Sequence, residues 1–209
     1  MSQFKYYPWV YCIAFNFWGI SMYAADTDSP ASQSKPWFVS EANLPEGFPA
    51  AGPVDEVIVK TYPQHRLARV QSNSGTDGMF WKLFNHIKRN DIKMTAPVEM
   101  SWTPKAAANP DGTPDGDPNS MAFLYGSTQL GTTGADAEDA SVLVEDIPTE
   151  TVVSIGLRGG YGKKTFLRGY KKLNEWLTNH PEWKVAGGPR TLGYNLSLIH
   201  ISEPTRHHV

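Results

Sequence analysis

Between Ile92 and Trp102 apolar and polar residues alternate without a break. Ile92, Met94, Ala96, Val98, Met100 and Trp102 stand against Lys93, Thr95, Pro97, Glu99 and Ser101. Alternation of period two predicts a strand with one buried and one wet face. Pro97 lacks a ladder donor and so predicts an edge, a bulge or a bend. Just upstream the period changes: Phe80, Leu83, Phe84 and Ile87 fall at i, i+3, i+4 and i+7, the stripe of an amphipathic helix. A second stripe, Phe166, Tyr170, Leu173 and Leu177, flanked by Leu167 and Trp176, predicts another helix. Lys163, Lys164, Arg168, Lys171 and Lys172 belong to its solvent side.

The same order of elements occurs twice. Residues 57–63 match 142–148 at an offset of 85, and 67–70 match 152–155 at the same offset. Each copy reads as two short strands joined at a proline turn, the pattern of a hairpin. A helix follows each, then a strand over residues 92–102 or 183–194, and an apolar run at 121–125 adds a strand between the copies. The predicted class is α+β: duplicated β-β-α-β units forming an antiparallel, barrel-like sheet with two helices.

The ends have a different character. Residues 1–25 read as a signal peptide, with Lys5 before an apolar run that is shorter than the ~20 residues of a membrane-spanning helix. Export to a periplasmic or extracellular location is expected, without stable membrane insertion once the leader is removed. Residues 26–53, rich in Ser, Pro, Ala and Gly, read as a linker, and 54–195 as the folded domain. Residues 196–209 break the pattern and read as an atypical tail, a translated cloning artefact or an alternative end. Cys12 is the single cysteine and lies in the leader, so the mature domain would hold no disulfide.

With 19 Lys+Arg against 21 Asp+Glu, the chain offers no global field for nucleic acid. No Gly-x-Ser-x-Gly elbow is present, and Gly159-Gly160-Tyr161-Gly162-Lys163-Lys164 does not put Lys-Ser/Thr at the set positions of a phosphate loop. Asp111, Asp115 and Asp117 lack the spacing of a calcium loop and read as a surface segment. No histidine pair among His65, His86, His180, His200, His207 and His208 has zinc spacing. His86 falls beside Lys82 and Arg89, outside the apolar stripe, and reads as solvated. His65, at a turn, reads as exposed.

The helix that runs into Met94-Thr95-Ala96-Pro97-Val98 resembles the signature of the SOUL haem-binding protein family, with a likeness covering roughly residues 54–195. That resemblance implies a duplicated fold of the type read above. It also implies non-enzymatic, non-covalent binding of haem or a related porphyrin in an apolar pocket beside the first helix, for carriage or buffering. Carried onto this chain, it makes Phe80, Phe84, Ile87 and Met94 the apolar wall, with Lys82, Lys88 and Arg89 able to meet carboxylates. Taken singly, Phe80, Phe84 and Ile87 read first as plain helix core, since any packed helix shows such a stripe. Two departures stand out: Lys88-Arg89-Asn90 replaces a glycine-rich helix end, and no Pro-rich turn and closing strand follow residue 195. Two alternatives stay open. One is a module of the same fold for another apolar ligand or a protein partner. The other is an enzyme acting on tetrapyrroles, which would require a titratable cluster in the pocket.

Overall fold

A computed structural model describes residues 11–17 (backbone only), 42–71, 76–102 and 118–195. The predicted tail, with His200, His207 and His208, and the aspartate-bearing segment at 111–117 lie outside the described residues. So does the leader apart from 11–17. Nine strands and two helices follow in the order β1 (Tyr11–Phe17), β2 (Val57–Tyr62), β3 (His65–Gln71), α1 (Thr76–Arg89), β4 (Val98–Ser101), β5 (Ser120–Leu124), β6 (Gly134–Ala135), β7 (Val142–Ile147), β8 (Glu150–Leu157), α2 (Lys163–Thr178) and β9 (Arg190–Gly193). The sheet runs β2-β8-β1-β9-β4-β5-β3-β7-β6, and every pair of strands is antiparallel.

The expected hairpins do not form. β2 pairs with β8 and β3 with β7, so each strand finds its partner in the other half of the chain. The register keeps the offset seen in the sequence: Val57 faces Ile155, and their equivalents Val142 and Val70 face each other. The proline turns are therefore corners rather than hairpin loops. At Pro63 and Pro148 the chain leaves one pairing and enters another.

Both faces of the sheet are covered. α1 buries Met79, Phe80, Leu83 and Ile87 against Ala68 and Val70 of β3, Val98 and Met100 of β4, and Phe123 of β5. At roughly 1.5–3 kcal/mol for each large side chain, this stripe is what holds the helix to the sheet. α2 buries Phe166, Tyr170 and Leu173 against Val153, Ile155 and Leu157 of β8. On the far face Tyr62 of β2, Leu67 of β3, Leu124 of β5, Val152 of β8 and Leu192 of β9 share one cluster with Phe48. Strands from distant places in the hydrogen-bonded order thus meet, so the sheet curls on itself, yet among the described residues β2 and β6 are its edges and the barrel is not closed. Phe48, within the stretch read as linker, stacks on Tyr62 at 4.5 Å.

This curl corrects the reading of residues 92–102. The strand is only Val98–Ser101, and β4 sits between β5 and β9. Thr95, Pro97 and Glu99, expected on a wet face, are buried because the second face of the strand looks into the curled sheet. β9 is likewise shorter than the strand expected over 183–194.

α1 ends without the glycine common at this position. Asp91 takes a left-handed conformation (φ 51), the Asn90 amide donates to the His86 carbonyl, and the Ile92 amide donates to the Ile87 carbonyl at 2.8 Å. The last of these bonds, with Ile92 packed back on the cluster that holds Ile87, is a Schellman-type stop. His86, Lys88 and Arg89 in the last turn suit the negative end of the helix dipole.

Candidate functional site

Two groups of residues on α1 have different surroundings. On the outward face Trp81 is 49% exposed, and its ring meets Phe84 edge-on at 5.7 Å and Phe80 edge-on at 5.5 Å. Phe80 and Phe84 are stacked at 6.0 Å, so the exposed tryptophan is braced by two rings beneath and beside it. Trp81, Phe84 and Lys88 stand at i, i+3 and i+7 and share this face. Lys88 is exposed and Met94 is half-buried at the margin of the same cluster.

On the opposite flank lies a buried polar network that the sequence did not announce. His86 is 3% exposed, not solvated as its helical angle implied. Its Nδ1–H donates to Asp136 Oδ2 at 2.5 Å, and in the neutral ring Nε2 accepts the Tyr125 hydroxyl at 2.6 Å. The cause is tertiary: Asp136, just beyond β6, and Tyr125, just beyond β5, close over this side of the helix. Asp136 is partly desolvated, which by itself would raise its pKa. Hydrogen bonds from His86, from the Asp139 and Glu138 amides and from Arg89 outweigh burial and hold its carboxyl well below the usual carboxylate range. Burial pushes the Tyr125 hydroxyl up to about 12, with Arg66 opposing and Asp136 assisting.

Of the residues carried over by resemblance, Phe80 and Ile87 are sealed in the core. Phe84 and Met94 are half-exposed at its edge. The three cations are not gathered at one mouth. Lys82 donates to Ser141 Oγ at 2.8 Å and Arg89 to Asp136 Oδ1 at 2.7 Å, both on the network flank, whereas Lys88 stands with the aromatic face. Trp81 was missed, because a stripe analysis selects the buried side of a helix and an exposed aromatic leaves no periodic trace. With both ring nitrogens engaged, His86 is poorly placed to bind iron.

Two further polar features lie away from α1. Glu99, 3% exposed, accepts from Arg69 and from Arg190, each at 3.2 Å, and Arg190 also pairs with Glu150. Arg69 reaches Glu145 at 3.1 Å. His65, expected to be exposed, is buried: Nδ1–H donates to the Pro63 carbonyl at 2.8 Å and the ring meets Phe48 edge-on. Burial lowers its pKa below the ordinary histidine value, against the raising influence of the Pro63 hydrogen bond. A cleft of about 200 Å³ opens here between Glu46, Gln64, His65, Arg66, Tyr125 and Ser127. It is smaller than pockets that enclose drug-sized ligands, ~300–1,000 Å³. None of the residues carried over by resemblance lines it.

The sequence profile described as SOUL heme-binding protein matches residues 53–203, most of the chain. The chain belongs to the SOUL family. No curated protein sequence matches it. The family match begins where the β-β-α-β order begins and includes α1, β4 and the Met-Thr-Ala-Pro-Val string between them. In this SOUL domain α1 presents a braced aromatic pair, Trp81 and Phe84, with Lys88 on the same face. Among the described residues no three His, Cys, Asp or Glu side chains are grouped to hold a metal ion, and no helix is long and apolar enough to cross a membrane.

Proposed function

We propose that this SOUL domain carries or buffers haem or a related tetrapyrrole, held non-covalently and without turnover on the outer face of α1. Trp81 and Phe84 would lie against the macrocycle, Met94 would border it, and Lys88 would pair with a propionate. The observation that carries this reading is the half-exposed Trp81 braced by Phe80 and Phe84. Large planar apolar surface is costly to leave in water, and a flat π-system covers it with little loss of conformational entropy. An open face buries less of its ligand than a closed pocket does, so micromolar binding, about −8 kcal/mol, is the expected scale.

The test is a visible-absorption titration of the full chain with haemin and with iron-free protoporphyrin. One-to-one saturation by both at similar affinity is expected, since no axial bond is invoked. Trp81→Ala should weaken both by on the order of tenfold, about 1.4 kcal/mol, and Lys88→Glu by a comparable factor. A flat titration with both ligands, or undiminished affinity in Trp81→Ala, overturns the reading.

A further inference from the structure

Between β8 and β9 the sheet has a place for one further strand. In the structure that place is filled from the other end of the chain. β1 lies between β8 and β9, paired with seven residues of β8 from Leu157 to Thr151 and with Gly193 to Arg190 of β9. β8 and β9 are not paired with each other, so β1 alone joins them in the sheet.

The slot is held open by contacts that do not involve β1. At one end Tyr161, in the loop after β8, reaches β9: its hydroxyl donates to the Asn195 carbonyl at 2.6 Å and accepts the Asn195 amide at 3.0 Å. Its ring lies so close to Gly193 that a Cβ there would stand 2.5 Å from it. Across the face, α2 packs on Val153, Ile155 and Leu157 of β8 and also on Trp102, just past β4 on the far side of the slot. Trp102 stacks on Phe166 at 4.1 Å, so the helix spans the gap like a lintel.

The register matches the pattern of the segment. Its large residues Tyr11, Ile13 and Phe15 are set opposite Leu157, Ile155 and Val153, the row of β8 that packs on α2. Its small residues Cys12 and Ala14 are set opposite Gly156 and Ser154. A slip of one residue would reverse this match, which is how an alternating segment specifies its register.

We infer that the gap between β8 and β9 is a strand-accepting site, and that its ligand is the chain's own Tyr11–Phe17. The segment falls in the stretch that reads as a leader. A domain that keeps it has a filled sheet, and one that loses it presents two facing strand edges whose amides and carbonyls call for an extended, alternating apolar peptide.

The test uses the full chain with a site-specific protease sequence placed between residues 26 and 36. After cleavage the N-terminal fragment should co-elute with the domain, and β8 and β9 amides should stay protected from hydrogen exchange. An excess of synthetic peptide spanning residues 9–19 should displace the fragment, while the same peptide with Ile13→Pro should fail to do so. In the uncut chain, Ile13→Pro should lower protection in β8 and β9 by at least about tenfold while β3 and β5 stay protected, showing that the rest remains folded. Free separation of the fragment with unchanged protection of β8 and β9 would overturn the inference. Equal displacement by the proline peptide would do the same.

Discussion

Replacing His86 by alanine separates a structural histidine from a haem ligand. The substitution removes two buried hydrogen bonds, one to Asp136 at 2.5 Å and one to Tyr125 at 2.6 Å. Asp136 keeps Arg89 and two backbone amides, so it remains satisfied. The loss there is the net value of a charge-assisted bond, ~1.5–3 kcal/mol, and the orphaned Tyr125 hydroxyl adds ~1–3 kcal/mol of desolvation without a partner. A total of roughly 2.5–6 kcal/mol corresponds to a fall in Tm of at least about 5 °C for a domain of this size. Urea and thermal unfolding of the full chain measure it. The Tyr125→Phe variant distinguishes the two contributions: in the double mutant the orphan disappears, so the costs should fall short of additive by about 1–2 kcal/mol. Haemin affinity of the folded fraction should be unchanged. A variant that melts within 2 °C of the parent, or strict additivity with Tyr125→Phe, would refute the network's role. A tenfold loss of haemin binding with protoporphyrin binding intact would instead make His86 an iron ligand.

Other expectations follow from the buried charges and the helix end. His65 has its pKa lowered from 6.5 by burial, so the unfolded chain binds the extra proton. Its contribution is complete above about pH 6.5 and declines as pH falls, and His65→Gln should flatten stability between pH 5 and 7 as read by urea midpoints. Glu99→Gln leaves Arg69 and Arg190 with Glu145 and Glu150 but strips the carboxylate between them. A cost near 3 kcal/mol, the low end for breaking a buried pair, should appear in urea unfolding and persist at 1 M salt. Asp91→Gly relieves a left-handed residue at φ 51 and should raise stability by up to about 1 kcal/mol in the same assay.

The helices were legible because their signal is local: Phe80, Leu83 and Ile87, or Phe166, Tyr170 and Leu173, mark a buried face by spacing alone. The two strand-proline-strand segments were legible, but their pairing was not, since a hairpin and a cross-half pairing share the same pattern. Glu99 was misplaced because alternation reports polarity, and a carboxylate between Arg69 and Arg190 is polar and buried at once. His86 was misjudged for the same class of reason. Its angle on α1 is that of a flank, and only Asp136 and Tyr125, distant in sequence, make that flank an interior. For the proposed face, the resemblance pointed to Phe84 and Lys88 but could not tell them from sealed Phe80 or from Lys82 and Arg89, which are committed elsewhere. That distinction depends on which loops cover the helix.

The reciprocal pairing of β2 with β8 and of β3 with β7 sets a timetable for a ribosome making this chain. When Val57 leaves the exit tunnel, its partner Ile155 is still roughly 100 codons away, a wait of about 5–20 s at 5–20 residues per second. β2 must pass that interval unmatched, whereas β3 can take β5 as soon as Leu124 has emerged. Until residue 157 has emerged, β2 is an open strand edge on the nascent chain.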